Sequence, residues 1–254
     1  MFSKEKVESI EIEHLSWKEA EKAFQKYRIV LIALGARTKE HGPHLQLNND
    51  YILAEYLKFQ VMKRFPVLVF PTLQYGYYPA FLEYPGSVSL SQNTFRDHVI
   101  DICKSIAGYG IRKFYVLNTG ISTLQPLEDA ANELRKNWGF ELRYLDLNIV
   151  DEKIPTGFLS QEGGTHADES ETSMMLFIAP DKVKMSKAVK DYDPRLDRKG
   201  LTRNPKGNGI YSPTGIWGDP TLATVEKGKL IIDRILEIIV SELKLLSQLN
   251  INPK

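Results

Sequence analysis

The stretch Glu40-His41-Gly42-Pro43-His44, followed by Asp50, places two imidazoles and two carboxylates close together in the chain. These are the ligand types preferred by zinc, manganese and related divalent ions. Gly42 and Pro43 let the segment turn sharply and then hold it rigid. His41 and Asp50 bracket a loop that ends at an expected helix N-terminus, so they can reach a common point. The same spacing suits turn residues that bond local backbone, and spacing alone leaves both readings open. A second group, Thr165-His166-Ala167-Asp168-Glu169-Ser170-Glu171-Thr172-Ser173, leads into the apolar run Met174–Ile178. Asp168 and Glu169 suit the first turn of a helix, where carboxylates meet the positive end of its dipole. His166, a loop imidazole beside three carboxylates, suits proton transfer. Cys103 falls on an apolar helical stripe and reads as core. His98, off that stripe, reads as a boundary residue and His14 as a surface one.

Elements that could position these groups alternate along the chain. Ser16-Trp17-Lys18-Glu19 has the pattern of a capping box opening a helix to about Tyr27. Ile29–Leu34 is a continuous β-branched-rich run, the mark of a strand buried on both faces. Asp50 is placed to cap a helix reaching about Phe65. Strands at Val67–Phe70, Phe114–Leu117 and Leu142–Leu147 then alternate with helices at Phe95–Ala107 and Leu127–Asn137. This order predicts an α/β fold: a single three-layer domain spanning 1–254, its mostly parallel β-sheet flanked by helices on both faces. In such folds ligands bind beyond the carboxyl ends of the strands, where the loop after Leu34 and Asn118 both fall. A Pro/Gly-rich stretch at about 180–220 reads as a long functional loop, lid or oligomer arm. A last helix is expected over Thr221–Leu249.

Composition bounds the function. A net charge of +1 gives no bulk electrostatic reason to expect nucleic acid or an anionic membrane as partner. The apolar stretch around Leu230–Val240 is interrupted by Asp233, Arg234 and Glu237, so it predicts no membrane span. A single cysteine excludes an internal disulfide and, with no apolar signal region near the N-terminus, points to the cytoplasm. Tyr75, Tyr77, Tyr78, Phe81 and Tyr84 form an aromatic group able to line a substrate pocket or a subunit interface.

Four blocks together resemble the creatininase (creatinine amidohydrolase) family. Gly35-Ala36, Glu40-His41-Gly42-Pro43-His44-Leu45 and Asp50 are similar to its Glu-Gln-His-Gly-Pro-His-Leu-Pro signature with the following aspartate. Pro71, Tyr75-Gly76 and Pro85-Gly86-Ser87-Val88-Ser89-Leu90 resemble its central segment. His166-Ala167, Glu169 and Glu171-Thr172-Ser173 resemble its third. Gly215-Ile216-Trp217-Gly218-Asp219-Pro220 through Glu226-Lys227-Gly228 resemble its last. The blocks stand in family order from about Ile29 to Gly228.

The resemblance implies a single α/β domain, a two-metal site, and attack of metal-activated water on a cyclic or formyl amide. It also implies a homo-oligomer, often a hexamer. The expected activity is therefore metal-dependent hydrolysis of a non-peptide C–N bond in a small-molecule amide. The alternatives are a catalytically degraded protein that binds a small ligand without turnover and, as a lesser option, a peptide-processing amidohydrolase. Carried over, the blocks assign His41, Asp50 and Glu40 to a divalent metal, expected to be zinc, with manganese or another ion as options and one or two ions in all. They assign His166 and Glu171 to catalysis, and His44, Tyr75, Asn118 and Trp217 to substrate. The chain departs from the family at three places. Lys39 stands two before His41, where the family has a glutamate ligand, so either Glu40 bulges into that role or the Lys39 ammonium replaces a metal charge. Asn118-Thr119-Gly120-Ile121-Ser122-Thr123 lacks the family's histidine, and Phe81 falls near another family histidine.

Overall fold

Ser16 starts the first helix as its sequence requires: its hydroxyl accepts from the Glu19 N–H, and the Glu19 carboxylate accepts from the Ser16 N–H. The computed structural model describes residues 8–193 and 200–251. Residues 1–7, which open the N-terminal segment, and Pro194 of the Pro/Gly-rich stretch lie outside the described residues. In chain order the elements are β1 (Ile10–Glu11), α1 (Trp17–Lys26), β2 (Ile29–Leu34), α2 (Asn49–Met62), β3 (Leu68–Leu73), α3 (Gln92–Ala107), β4 (Lys113–Asn118), α4 (Leu124–Trp138), β5 (Glu141–Tyr144), α5 (Leu147–Lys153), α6 (Glu169–Ile178), β6 (Leu201–Thr202), β7 (Ile210–Tyr211) and α7 (Val225–Gln248).

Strands β1 to β5 form one parallel sheet in the order β1-β3-β2-β4-β5. Alternate residues of β2 feed two cores, as the two-residue period of a strand requires. Val30, Ile32 and Leu34 pack with Phe95, Val99 and Cys103 of α3 and Leu127 and Leu134 of α4. Ile29, Leu31 and Ala33 pack with Leu53 and Leu57 of α2 and Ile231, Ile235 and Ile239 of α7. Helices therefore cover both faces of the sheet. After β2 the chain winds to β3 on one side, then crosses to β4 on the other. The switch point lies between the C-terminal ends of β2 and β4, where a crevice forms.

Several boundaries differ from the sequence expectation, each for a local reason. Strand β3 runs past Pro71 to Leu73, because its pairing with β2 shifts register between Ile32 and Leu34 and the bulge absorbs the missing proline N–H. Helix α2 opens two residues earlier, with Asn48 at the capping position, so Asp50 sits inside the first turn and does not cap. The expected strand to Leu147 stops at Tyr144. Asp146 then accepts the Asn148 N–H in a cap-like contact and the short helix α5 begins. The described part of 180–220 is not wholly irregular: it contains two 3-10 turns, Pro180–Lys182 and Met185–Lys187, and the β6–β7 pair. Among the described residues no helix is long and apolar enough to cross a membrane.

A candidate catalytic crevice at the switch point

The loop after β2 is tied down at several points before it reaches the histidines. Gly35 and Arg37 donate to the Leu73 and Gln74 carbonyls, Lys39 donates to Leu47, and the Thr38 carbonyl accepts from Val88. Glu40, His41 and His44 are thereby buried, and Lys39 with them.

Lys39 and Asp50 form a buried ion pair, Nζ to Oδ2 at 2.7 Å. The ammonium also lies 4.9 Å from the Phe81 ring centre and 5.4 Å from that of Tyr78. Burial opposes its charge, but Asp50, Glu171 and Glu40 outweigh burial and raise the Lys39 pKa. Burial likewise opposes the Asp50 carboxylate, yet His41 and Lys39 hold it well below the usual carboxylate range.

His41 Nδ1 lies 2.9 Å from the Lys39 carbonyl, which can only accept, so this partner assigns the proton to Nδ1. Nε2 then faces Asp50 Oδ1 at 2.7 Å, a separation that two lone pairs tolerate only with a proton or a cation between them. His166 has the converse arrangement. Its Nε2 meets two acceptors, Glu40 Oε1 at 2.7 Å and the Glu40 carbonyl at 3.0 Å, and so donates. Nδ1 is left 3.6 Å from Glu171 Oε2. Burial works against an imidazolium here, but Glu40 and Glu171 together raise the His166 pKa. The Glu40 carboxylate also accepts the Gly42 N–H, and burial, which would raise its pKa, is overcome by His166 and this bond. Gly215, at φ +80°, is required beside it, since a Cβ there would overlap the carboxylate.

His41, His166 and Glu171 each offer a donor atom, and the three lie within 4.8 Å of one another. Two imidazoles and a carboxylate are a ligand set that catalytic zinc uses, and the Glu40–His166 bond is the outer contact that orients such a ligand. These residues fit one divalent ion. They do not fit a second beside Asp50. The ammonium already faces that carboxylate, and the loop after β4 offers only Thr119, Gly120, Ile121 and Ser122 in the crevice.

The ligand set expected from sequence is thus rearranged. Of His41, Asp50 and Glu40, only His41 joins the converging donors. Asp50 faces Lys39 and His41, and Glu40 faces His166. His166 and Glu171, expected to be catalytic, stand beside His41. Trp217 lines the cavity above them and pairs its backbone with His166. None of the other three substrate candidates lines this cavity. His44 is buried against Thr172 Oγ1 at 2.8 Å, and burial lowers its pKa to about 4. Asn118 is fully buried, its amide bonded to Gly120, Thr123 and Leu145, so it shapes the loop and has no group left for a ligand. Tyr75 is 45% exposed and lies outside the cavity, while Tyr78, Phe81 and Tyr84 turn inward.

Asp168 caps α6 through the Glu171 N–H, as its sequence position suggests. It also lines the cavity, and burial together with the Glu171 charge pushes its carboxyl up to about 7. Sequence gave no sign of this second property, because it depends on burial. Ala167 holds φ +48°, an unusual conformation for a residue with a Cβ, and donates its N–H to Glu171. Cys103 is buried, its thiol pushed up to about 12 by burial, and His14 and His98 are exposed.

The family model described as Creatininase, creatinine amidohydrolase, matches residues 13–243. The creatinine amidohydrolase of Pseudomonas putida is 28% identical over 251 residues, covering 89% of this chain and 92% of that protein. The 3-dehydro-scyllo-inosose hydrolase of Thermotoga maritima is 26% identical, covering 88% and 79%. The mycofactocin precursor peptide peptidase of Mycolicibacterium smegmatis is 28% identical, covering 80% and 79%. A crystal structure of creatinine amidohydrolase superposes with a TM-score of 0.73 at 27% identity, over 95% of this chain and 99% of that one. Two further creatininase structures, one described as Mn and one a mutant of Zn-Zn type, each give 0.72, at 27% and 26% identity, over 94% of this chain and 98% of theirs.

Proposed function

The chain belongs to the creatininase family, and from that premise we propose that it is a hydrolase that opens the C–N bond of a small amide with one divalent metal ion. The observation that carries this reading is the convergence of His41, His166 and Glu171, the last two lining one cavity together with Lys39. These three residues would hold the ion, zinc or manganese. When bound, the ion supplies a Lewis acid and a nucleophilic water at neutral pH. The Lys39 carbonyl, through Nδ1 of His41, and Glu40, through Nε2 of His166, fix the two imidazoles in orientation. Lys39, which lines the cavity, presents a fixed positive charge to an oxygen that becomes negative as an amide carbonyl is attacked. Trp217 and Phe81 line the crevice beside them. Relatives whose names specify a creatinine amidohydrolase, an inosose hydrolase and a precursor peptidase support hydrolysis as the reaction class. The substrate class proposed is lactams and formamides.

Elemental analysis of protein purified without chelator tests the metal: about one equivalent of zinc or manganese is expected, with His41→Ala and His166→Ala near zero. A lactam and formamide panel tests turnover, with each variant losing at least about a hundredfold in kcat/KM, the scale of losing a positioned electrostatic group. Trace metal in the wild type sinks the proposal.

The Lys39–Asp50 pair favours a second reading, a protein that binds an intact amide and does not convert it. It predicts thermal stabilisation by an amide that is recovered unchanged from the same sample.

A further inference from the structure

The cavity that ends on Lys39, His166 and Glu171 extends well past them. Its volume is about 610 Å³, far more than a five-membered lactam occupies. Besides loop residues, three helices contribute to its walls. Leu147, Val150 and Ile154 of α5 stand three and four residues apart, and Ile231 and Ile235 of α7 four apart, so each helix turns one apolar stripe to the space. Half-buried Leu147 and Ile154 form its lip, while Val150, Ile231 and Ile235 are buried as its floor. Helix α6 joins the two ends: Met174 follows Glu171 by three residues on the same face, about 4.5 Å along the axis. The apolar wall therefore begins about one helical turn from the charged cluster. Water there finds few hydrogen-bond partners, which favours its displacement by an apolar group.

We propose that the substrate is an amide carrying an apolar alkyl or acyl arm, its amide group at Lys39, His166 and Glu171 and its arm against α5 and α7. The inference rests on the reading of the charged end as the reacting end, and it names the substrate class for that site. A compact polar lactam fills only the first part of the cavity, whereas a chain of several methylenes also covers Leu147, Val150 and Ile235.

Linear N-alkylformamides from N-methylformamide to N-octylformamide, titrated calorimetrically into the full-length protein as purified, test this. Affinity should rise about fourfold per methylene, then level off when the arm reaches the end of the floor. The N-octylformamide-to-N-methylformamide affinity ratio should fall about tenfold in Leu147→Trp, which fills the lip, and less in the milder Ile154→Ser. A flat series overturns the proposal; it is the result expected if the wall receives a side chain from a second copy of the chain. Carboxylate release in the same samples separates the two ideas. Chain-length dependence without turnover upholds the arm and rejects the hydrolase. Turnover with a flat series does the reverse.

Discussion

Lys39 is the side chain on which the electrostatics of the crevice turn. It places a full positive charge within 2.7 Å of Asp50 in a water-poor site. Removing one partner of such a pair leaves the other charge buried without compensation, a cost of about 3–5 kcal/mol. Lys39→Met should therefore lower stability by about that amount in urea unfolding. The double variant with Asp50→Asn should recover at least half of it, and no recovery would show that the two side chains do not compensate each other. His44 gives a pH signature. Its folded value of about 4 lies below the ordinary 6.5, so the folded chain keeps it neutral where the unfolded chain takes up a proton. Stability is then lost as pH falls from 6.5 to 4, by about 3 kcal/mol. His166 has the opposite sign: its raised value contributes stability below 6.5 that is lost at higher pH. Asp168, raised to about 7, lowers stability as pH climbs from 3.8. Both remain in His44→Gln, so the wild type minus variant difference isolates His44. That difference should be steep between pH 6.5 and 4 and flat above it.

At the scale of elements, the crevice depends on how closely α6 meets α7. Gly228 in the first turn of α7 lies against the Ser173 backbone, and a Cβ there would overlap its carbonyl. The neighbouring atoms are backbone and cannot swing away. Gly228→Ala should therefore cost about 1–3 kcal/mol, the range for overpacking, in the denaturation midpoint. It should also weaken metal binding, because α6 carries Glu171. Serine at position 16 offers a control far from the site: Ser16→Ala removes the α1 cap and should cost about 1 kcal/mol while metal content stays the same. Elements built from local pattern were legible in sequence. Ile29–Leu34 matches β2 end to end, because an unbroken β-branched run admits little else. Helix α5 was not legible, since seven residues carry too short a period to distinguish from the end of a strand.

For the whole molecule, a ligand that binds only the folded chain shifts its stability by mass action. Zinc at a hundred times its Kd should stabilise by about 2.7 kcal/mol, which for a chain of this length is about 5–10 °C in Tm. Chelation should reverse the shift, and His41→Ala should abolish it. A thermal melt in which metal leaves the wild type unmoved would count against the metal reading.

By itself the sequence determined the α/β layering, the placing of the crevice beyond β2 and β4, and the family blocks that hold His41, Asp50, His166 and Glu171. All of these follow from periodicity or from residue order, which a chain carries locally. Tertiary structure alone decided between Lys39 and Glu40. The loop's ties to β3 and to the segment before α2 turn Lys39 onto Asp50 and send Glu40 to His166, a residue 126 positions away. It alone buried Asn118 and His44, left Tyr75 exposed outside the cavity and raised Asp168 to about 7. The physical reason is common to these cases. Burial and long-range charge pairs exist only once the chain has closed on itself, so a linear pattern can nominate a chemical group but cannot say which partner neutralises it.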